Sequence, residues 1–316
     1  MGWTRAICGQ EGCLLDVIAL RTFNRIIHLL DPETVLLRAW PLSGGISAVT
    51  TALTVARSDG SRQDYVVRQH HQLTPHAAEA EYRLLQQLYS LGMPVPQPYF
   101  FDSGGTVSRE PYLVLEFIDG EPIYQPEDVH TFIRQAAAHL AQIHRVSRQS
   151  VDLSYLRSQM QSDADFLLRH FATPLQMNAE APIRQVLEAA WPLPPVSDHP
   201  LLLHGDFWPG NLLWRGGQMV AVIDWEDASL GNPLADLANS RLEILWACGI
   251  ECMHAFTRHY QALMPGLDFQ HLAHWDLVVA LRTGTRISAW AVNAAAERSM
   301  FAGHTQFVEQ AFNALA

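Results

Sequence analysis

The sequence predicts an α+β fold in two lobes, a small antiparallel sheet with one main helix followed by a larger, mostly helical lobe. Three observations lead there. At 316 residues the chain exceeds what one compact core usually fills. From Val35 to Phe117 the apolar residues come in short runs of Val, Leu, Thr and aromatics, the residues that fit a pleated surface. From about Asp128 onward they recur instead at helical spacing.

Taken in order, residues 1–34 are expected as an N-terminal helical extension. The runs Val35–Trp40, Val49–Ala56, Tyr65–Arg68 and Tyr112–Phe117 are parted by Gly, Ser, Asp or Pro and are expected as strands of a twisted antiparallel sheet. Between the third and fourth, Glu79 to Tyr89 holds helix formers with Leu84, Leu85 and Leu88 on one side, and stops at Gly92 and Pro94. Glu116-Phe117-Ile118-Asp119-Gly120 ends the last strand and crosses to the second lobe, so the lobes are placed at 35–118 and 119–316. Beyond it, Val129, Phe132, Ile133, Ala136, Ala137, Leu140 and Ile143 mark one core-facing helix, and Phe307, Val308, Ala311, Phe312 and Leu315 mark another. The Pro-rich stretch from Trp191 to Pro200 interrupts the helical region just ahead of Leu201-Leu202-Leu203.

Composition narrows the function. With 21 basic against 32 acidic side chains and a formal net charge of -11, a general grip on nucleic-acid phosphates is disfavoured, and no nucleic-acid partner is expected. Every basic side chain in that count is arginine; the absence of lysine rules out a lysine Schiff base and the Lys-dependent P-loop. Cys8, Cys13, Cys248 and Cys252 are scattered and form no CxxC pair beside a His cluster, so neither a disulfide framework nor a structural zinc is indicated. Met1 to Leu20 lacks the apolar core of a signal peptide, and no apolar run is long enough to span a membrane. A cytoplasmic protein with no membrane partner is expected.

The chemistry concentrates in His204-Gly205-Asp206-Phe207-Trp208-Pro209-Gly210-Asn211, a Pro/Gly-containing loop between two apolar runs that sets an Asp and an Asn five positions apart. Phosphoryl transfer needs a carboxylate to orient the attacking hydroxyl and accept its proton, and an amide oxygen nearby to hold a metal ion. Asp206 and Asn211 suit those roles. Leu212–Trp214 and Met219–Ile223 then read as strands about the Arg215-Gly216-Gly217 turn, a hairpin that would return Asp224 beside Asn211. Oxygen donors of this kind suit Mg²⁺, which takes one or two protein ligands and completes its shell with water and phosphate.

The tandem of His204-Gly205-Asp206…Asn211 with Ile223-Asp224-Trp225-Glu226 resembles the aminoglycoside phosphotransferase and choline-kinase-like enzymes, relatives of the protein kinases. The resemblance extends over most of the chain. Leu42-Ser43-Gly44-Gly45-Ile46-Ser47 is similar to that family's nucleotide loop, Gly92-Met93-Pro94-Val95-Pro96 to the segment after its small-lobe helix, and Gly231-Asn232-Pro233 through Asp236-Leu237-Ala238 to the stretch after the metal-binding Asp. It implies a bilobal protein-kinase-like fold in which the first lobe binds nucleotide and the second carries the catalytic loop. It also implies an ATP-dependent transfer, with GTP as an alternative, to a hydroxyl of a small acceptor.

Residue by residue, the resemblance implies Asp206 as catalytic base and Asn211 and Asp224 as Mg²⁺ ligands. Ser43, Gly44, Gly45 and Ser47 would lie over the phosphates, and Glu116, Phe117 and Ile118 would meet the base through main-chain groups. His204 and Asp236 would brace the loop. Arg68 stands where the family usually carries a lysine that contacts phosphates and pairs with a helix Glu; Glu81 would be its partner, ahead of Glu79. A cationic acceptor could meet Asp163, Asp165, Glu226 or Asp227. The rival reading is a nucleotide-binding pseudokinase or regulatory module without transfer, with Arg68 as the mark of lost catalysis. A hydrolase built on paired carboxylates is disfavoured by its surroundings.

Overall fold

The computed structural model describes residues 4–5, 17–43, 48–70, 74–172, 180–193 and 199–316. In chain order the strands are β1 (Thr4–Arg5), β2 (Val35–Ser43), β3 (Ala48–Ala56), β4 (Arg62–His70), β5 (Pro98–Asp102), β6 (Tyr112–Glu116), β7 (Glu121–Pro122), β8 (Arg157–Ser158), β9 (Leu201–Leu203), β10 (Leu212–Arg215), β11 (Gln218–Val222) and β12 (Ser229–Gly231). The helices are α1 (Val17–Leu30), α2 (Pro75–Ser90), α3 (Val129–His144), α4 (Gln159–Ala172), α5 (Glu180–Ala190), α6 (Pro233–Cys248), α7 (Ile250–Leu263), α8 (Leu272–Gly284), α9 (Ile287–Trp290) and α10 (Ala294–Leu315). The chain divides into two compact units, residues 1–123 with 210–226, and residues 124–209 with 227–316.

The first unit is built on an antiparallel sheet in the order β1-β2-β3-β4-β6-β5. Side chains alternate across a strand, so Leu53, Val55, Tyr65, Val67, Tyr112 and Val114 share one face, and α1 covers it with Phe23, Ile26 and Ile27. Arg68 and His70 fall in the other set, with Val66, and both are buried. On that side Arg68 meets Glu81 of α2, whose buried stripe is Ala78, Glu81, Leu84, Leu85 and Leu88. The α2 start is set by Thr74, which accepts from the Ala77 amide at 3.2 Å, and by Pro75 at the first position. Sequence periodicity misses β5, in which Pro98 and three aromatics disguise the strand pattern, and it gives α1 no packing role.

The same unit includes the β10–β11 hairpin. Arg215 pairs with Gln218 across Gly216 and Gly217, whose φ of 56° and 76° suit a tight two-residue turn. Strand β7 joins the other edge of β10. A Cβ on Gly120 would lie 2.9 Å from the Val220 side chain, so the chain entering β7 passes too close to this hairpin for any larger residue.

In the second unit α3 packs on α7, α6 on both α7 and α8, and α8 on α10. A buried arginine ties four of these helices together. Arg241 of α6 donates to both carboxylate oxygens of Asp276 on α8, at 3.0 and 2.9 Å, to Thr257 on α7 and to Gln310 on α10. The small sheet β8-β12-β9 lies in this unit, with β12 antiparallel to β9. Among the described residues no helix is long and apolar enough to cross a membrane.

Candidate active site

In the second unit, the loop that follows β9 hangs from one buried carboxylate. Asp236, in the first turn of α6, accepts from the His204 amide at 2.8 Å and the Gly205 amide at 2.9 Å, and lies 3.2 Å from His144 Nε2. Burial opposes its ionisation, but the His144 hydrogen bond and the charge and amide of neighbouring groups outweigh this and hold its pKa below the usual carboxylate range. One turn later Ser240 donates to the Phe207 carbonyl at 2.9 Å. The imidazole of His204 is buried and its Nδ1 accepts from the Asp206 amide at 3.2 Å. Gly205 has φ of 86°, and a Cβ there would sit 2.3 Å from the Asp227 carbonyl oxygen. The loop carrying Asp206 is thereby fixed at both its amides and its carbonyls.

Asn211 and Asp224 belong to the first unit, at the open end of the β10–β11 hairpin. Leu212 pairs with Val222, and the Ile223 amide donates to the Asn211 carbonyl at 3.0 Å, so the register sets Asn211 opposite Ile223, one residue before Asp224. Asn211 is buried, whereas Asp224 is partly open. Asp224 has φ of 69°, the left-handed region that a non-glycine residue adopts at a cost and that recurs at functional sites. An amide oxygen and a carboxylate are both hard donors, the kind a small divalent cation takes.

Arg68 sits among carboxylates in this unit. It is 2% exposed and donates through Nη1 to Glu81 Oε1 at 2.5 Å, and through Nη2 to Asp224 and to Glu226 Oε2, the latter at 3.0 Å. Burial by itself would lower the guanidinium pKa, but Asp224, Glu81 and Glu226 reverse this and raise it. Glu81 is pushed up to about 7, by burial first and then by the charges of Asp224 and Glu226, with Arg68 opposing. Glu79, the other candidate on the helix, is exposed. His70, Glu81 and Glu226 bring ligand atoms within 4.8 Å of one another, but the cation between Glu81 and Glu226 is the Arg68 guanidinium.

Of the other expected residues, Ser43 ends β2, while Gly44, Gly45, Ile46 and Ser47 lie outside the described residues. Glu116 is the last residue of β6; its carboxylate accepts from the Gln97 amide at 3.1 Å and its own amide donates to the Gln97 carbonyl at 2.8 Å. Phe117 stands edge-on to Trp40, and Ile118 packs on the cluster of Leu213, Ala221 and Ile223. The acids considered for a cationic acceptor are already engaged. Asp163 is bonded to Arg282 and Gln159, Asp165 to Gln161, Glu226 to Arg68 and Asp227 to Arg157. Three contributors escape the motif reading: His70, Ser240 and Glu243. Each has a periodic signal, since His70 is two residues beyond Arg68 on one strand face, while Ser240 and Glu243 follow Asp236 at helical spacing of four and seven.

A profile described as "Phosphotransferase enzyme family" matches residues 43–269. The chain belongs to that family. Among curated proteins it is similar to acyl-CoA dehydrogenase family member 11 of Gallus gallus, at 28% identity over 211 residues, covering 60% of this chain and 26% of that protein. It is 31% identical over 108 residues to hygromycin-B 4-O-kinase of Escherichia coli, covering 33% of this chain and 30% of that one. The chain thus spans under a third of the length of each of these two relatives. Among solved structures it shares its fold with the amicoumacin kinase hAmiN in complex with AMP-PNP, Ca²⁺ and Ami, with a TM-score of 0.65, 15% identity, and coverage of 92% of this chain and 93% of that one. Macrolide 2'-phosphotransferase type I gives a TM-score of 0.61 at 17% identity, covering 93% and 98%. The two-lobed, kinase-like α+β fold expected from the sequence is the fold of these phosphotransferases.

Proposed function

We propose that this member of the phosphotransferase family is a kinase that moves the γ-phosphate of a nucleotide to a hydroxyl of a small molecule, with Asp206 as the base. The observation that supports the reading is the hairpin whose open end carries Asn211 opposite Ile223 with Asp224 next in the chain, held at positive φ. That pair would hold Mg²⁺, which when bound neutralises charge on the phosphates. Asp206, held in place by the bonds of Asp236 to the loop amides, orients the acceptor hydroxyl and takes its proton as the new O–P bond forms and the bond from the γ-phosphorus to the bridging oxygen breaks, releasing the nucleoside diphosphate. Arg68 steadies the phosphates, with Glu81 as its partner. The segment Ser43 to Ser47 would serve the phosphates, and the main chain of Glu116 to Ile118 would meet the base. His204 and Asp236 keep the loop in shape.

ATP is the assigned donor, with GTP as the competing one. The acceptor is a small hydroxyl compound. Asp163, Asp165, Glu226 and Asp227 are already engaged, and Glu243, whose pKa burial and then the charge of Asp206 push up to about 8, would ionise at neutral pH only on meeting a cationic group of the acceptor. A nucleotide-binding module without transfer draws support from the crowding of Arg68 by three carboxylates. The experiment is magnesium-dependent transfer of the γ-phosphate from ATP and from GTP across a panel of small alcohols and amino alcohols. A phosphorylated product with either nucleotide supports the kinase, and nucleotide binding with no product on any acceptor supports the module.

A further inference from the structure

A lysine at position 68 would end in a single nitrogen, whereas the guanidinium that is there presents two terminal nitrogens in one rigid plane. Both are used. Nη1 is committed to Glu81 Oε1 at 2.5 Å, and Nη2 to Asp224 and to Glu226 Oε2, the latter at 3.0 Å. Next to them on the same face of β4, His70 places Nε2 3.3 Å from Glu81 Oε2 and Nδ1 3.7 Å from Glu226 Oε2. Arg68, Glu81, His70 and Glu226 therefore lie in a ring in which the arginine hydrogen-bonds both carboxylates and the two longer His70 contacts are ion pairs when the imidazole is protonated. Three members are nine-tenths buried or more, and the Glu226 side chain is 13% exposed. A ring of this kind, added to the Asp224 bond at Nη2, holds the guanidinium plane from both of its terminal nitrogens.

We propose that Glu226 and His70 are positioning residues for Arg68, and that they are what allows an arginine to serve the nucleotide phosphates at a position built for lysine. This rests on the kinase reading above. Glu226 follows Asp224 by two positions, on the segment that leaves β11, and His70 follows Arg68 by two positions on β4. Strand β4 and the segment after β11 thus each contribute one residue to the chemistry and one to holding Arg68. A lysine at this position would pair with Glu81 and Asp224 alone, and Glu226 would then be dispensable.

The test is a cycle of wild type, E226A, R68K and R68K/E226A, with H70F alongside. Two quantities are read: the dissociation constant for magnesium–ATP without acceptor, and the thermal midpoint without nucleotide. Taking away a carboxylate near a triphosphate should by itself tighten binding. The expected result is nevertheless weakening of about tenfold for E226A and for H70F when Arg68 is in place, and no weakening when E226A is added to R68K, a coupling typical of residues in one charged network. Equal changes in the two backgrounds overturn the proposal while leaving the kinase reading intact. A lowered midpoint with unchanged nucleotide affinity also overturns it, since that is what a merely structural role would give. Should E226A not fold, E226Q takes its place in the cycle. A folded wild type that binds no nucleotide overturns this proposal and the kinase reading together.

Discussion

Asp236→Ala removes the acceptor of the His204 and Gly205 amides and the partner of His144 Nε2, three contacts of one carboxylate that is 3% exposed. Each donor left without an acceptor in a buried place costs about 1–3 kcal/mol, and bonds to a charged acceptor lie at the upper end. Two of the three donors are well buried and the Gly205 amide can turn to water, so the sum is about 3–5 kcal/mol. The loop then loses the hold that points Asp206, and misplacement by about 1 Å is enough to lower a transfer rate on the order of a hundredfold. The pH dependence has a definite sign. Because the folded-state pKa of Asp236 is depressed, its contribution is complete above the ordinary carboxylate value and disappears as pH falls through the folded value. Denaturant unfolding of wild type and variant at neutral pH, and again at the lowest pH where both remain folded, measures both quantities. The reasoning is refuted if the neutral-pH difference is under about 1 kcal/mol or does not shrink on acidification.

Further outcomes follow from the same contacts. Asp276→Ala strands the buried Arg241 guanidinium, and a loss of about 3–5 kcal/mol is expected by denaturant unfolding, most of it recovered in R241M/D276L. Glu243 is pushed up to about 8 by burial and then by Asp206, so its proton is held in the folded state and stability falls as pH rises from the ordinary Glu range toward 8. Glu243→Gln should therefore gain a few degrees in thermal midpoint over wild type at pH 8.5, on the order of 2–5 °C, and little at pH 4.5; a difference constant with pH contradicts this. Gly205→Ala combines a positive φ with a carbonyl 2.3 Å from the new Cβ, so transfer should be lost while circular dichroism shows the helices intact.

Much of this fold is legible in the sequence because its signals are local. The Gly-Gly turn of β10–β11 and the helical spacing from Val129 to Ile143 each sit within one element, whereas α2 starts at Pro75, ahead of the Glu79 that its leucines mark. Leu84, Leu85 and Leu88 give away α2, and the structure adds Glu81 to their buried stripe, where it meets Arg68. What the sequence hides is whatever depends on elements meeting. Strand β5 begins with a proline and carries aromatics on both faces, so period-two reading fails there. The ring through His70 and Glu226 joins residues 156 positions apart, and no spacing rule connects them. The engagement of Asp163 with Arg282 is of the same kind: an acid on α4 looks solvent-facing until α8 supplies a guanidinium.

The most direct test of the assignment of Asp206 is to follow γ-phosphate transfer by mass spectrometry on an acceptor identified from the alcohol panel, with wild type and Asp206→Ala at saturating magnesium–ATP. The expected result is a fall in kcat on the order of a hundredfold or more for the variant with its nucleotide dissociation constant unchanged. Transfer by Asp206→Ala at the wild-type rate would contradict it.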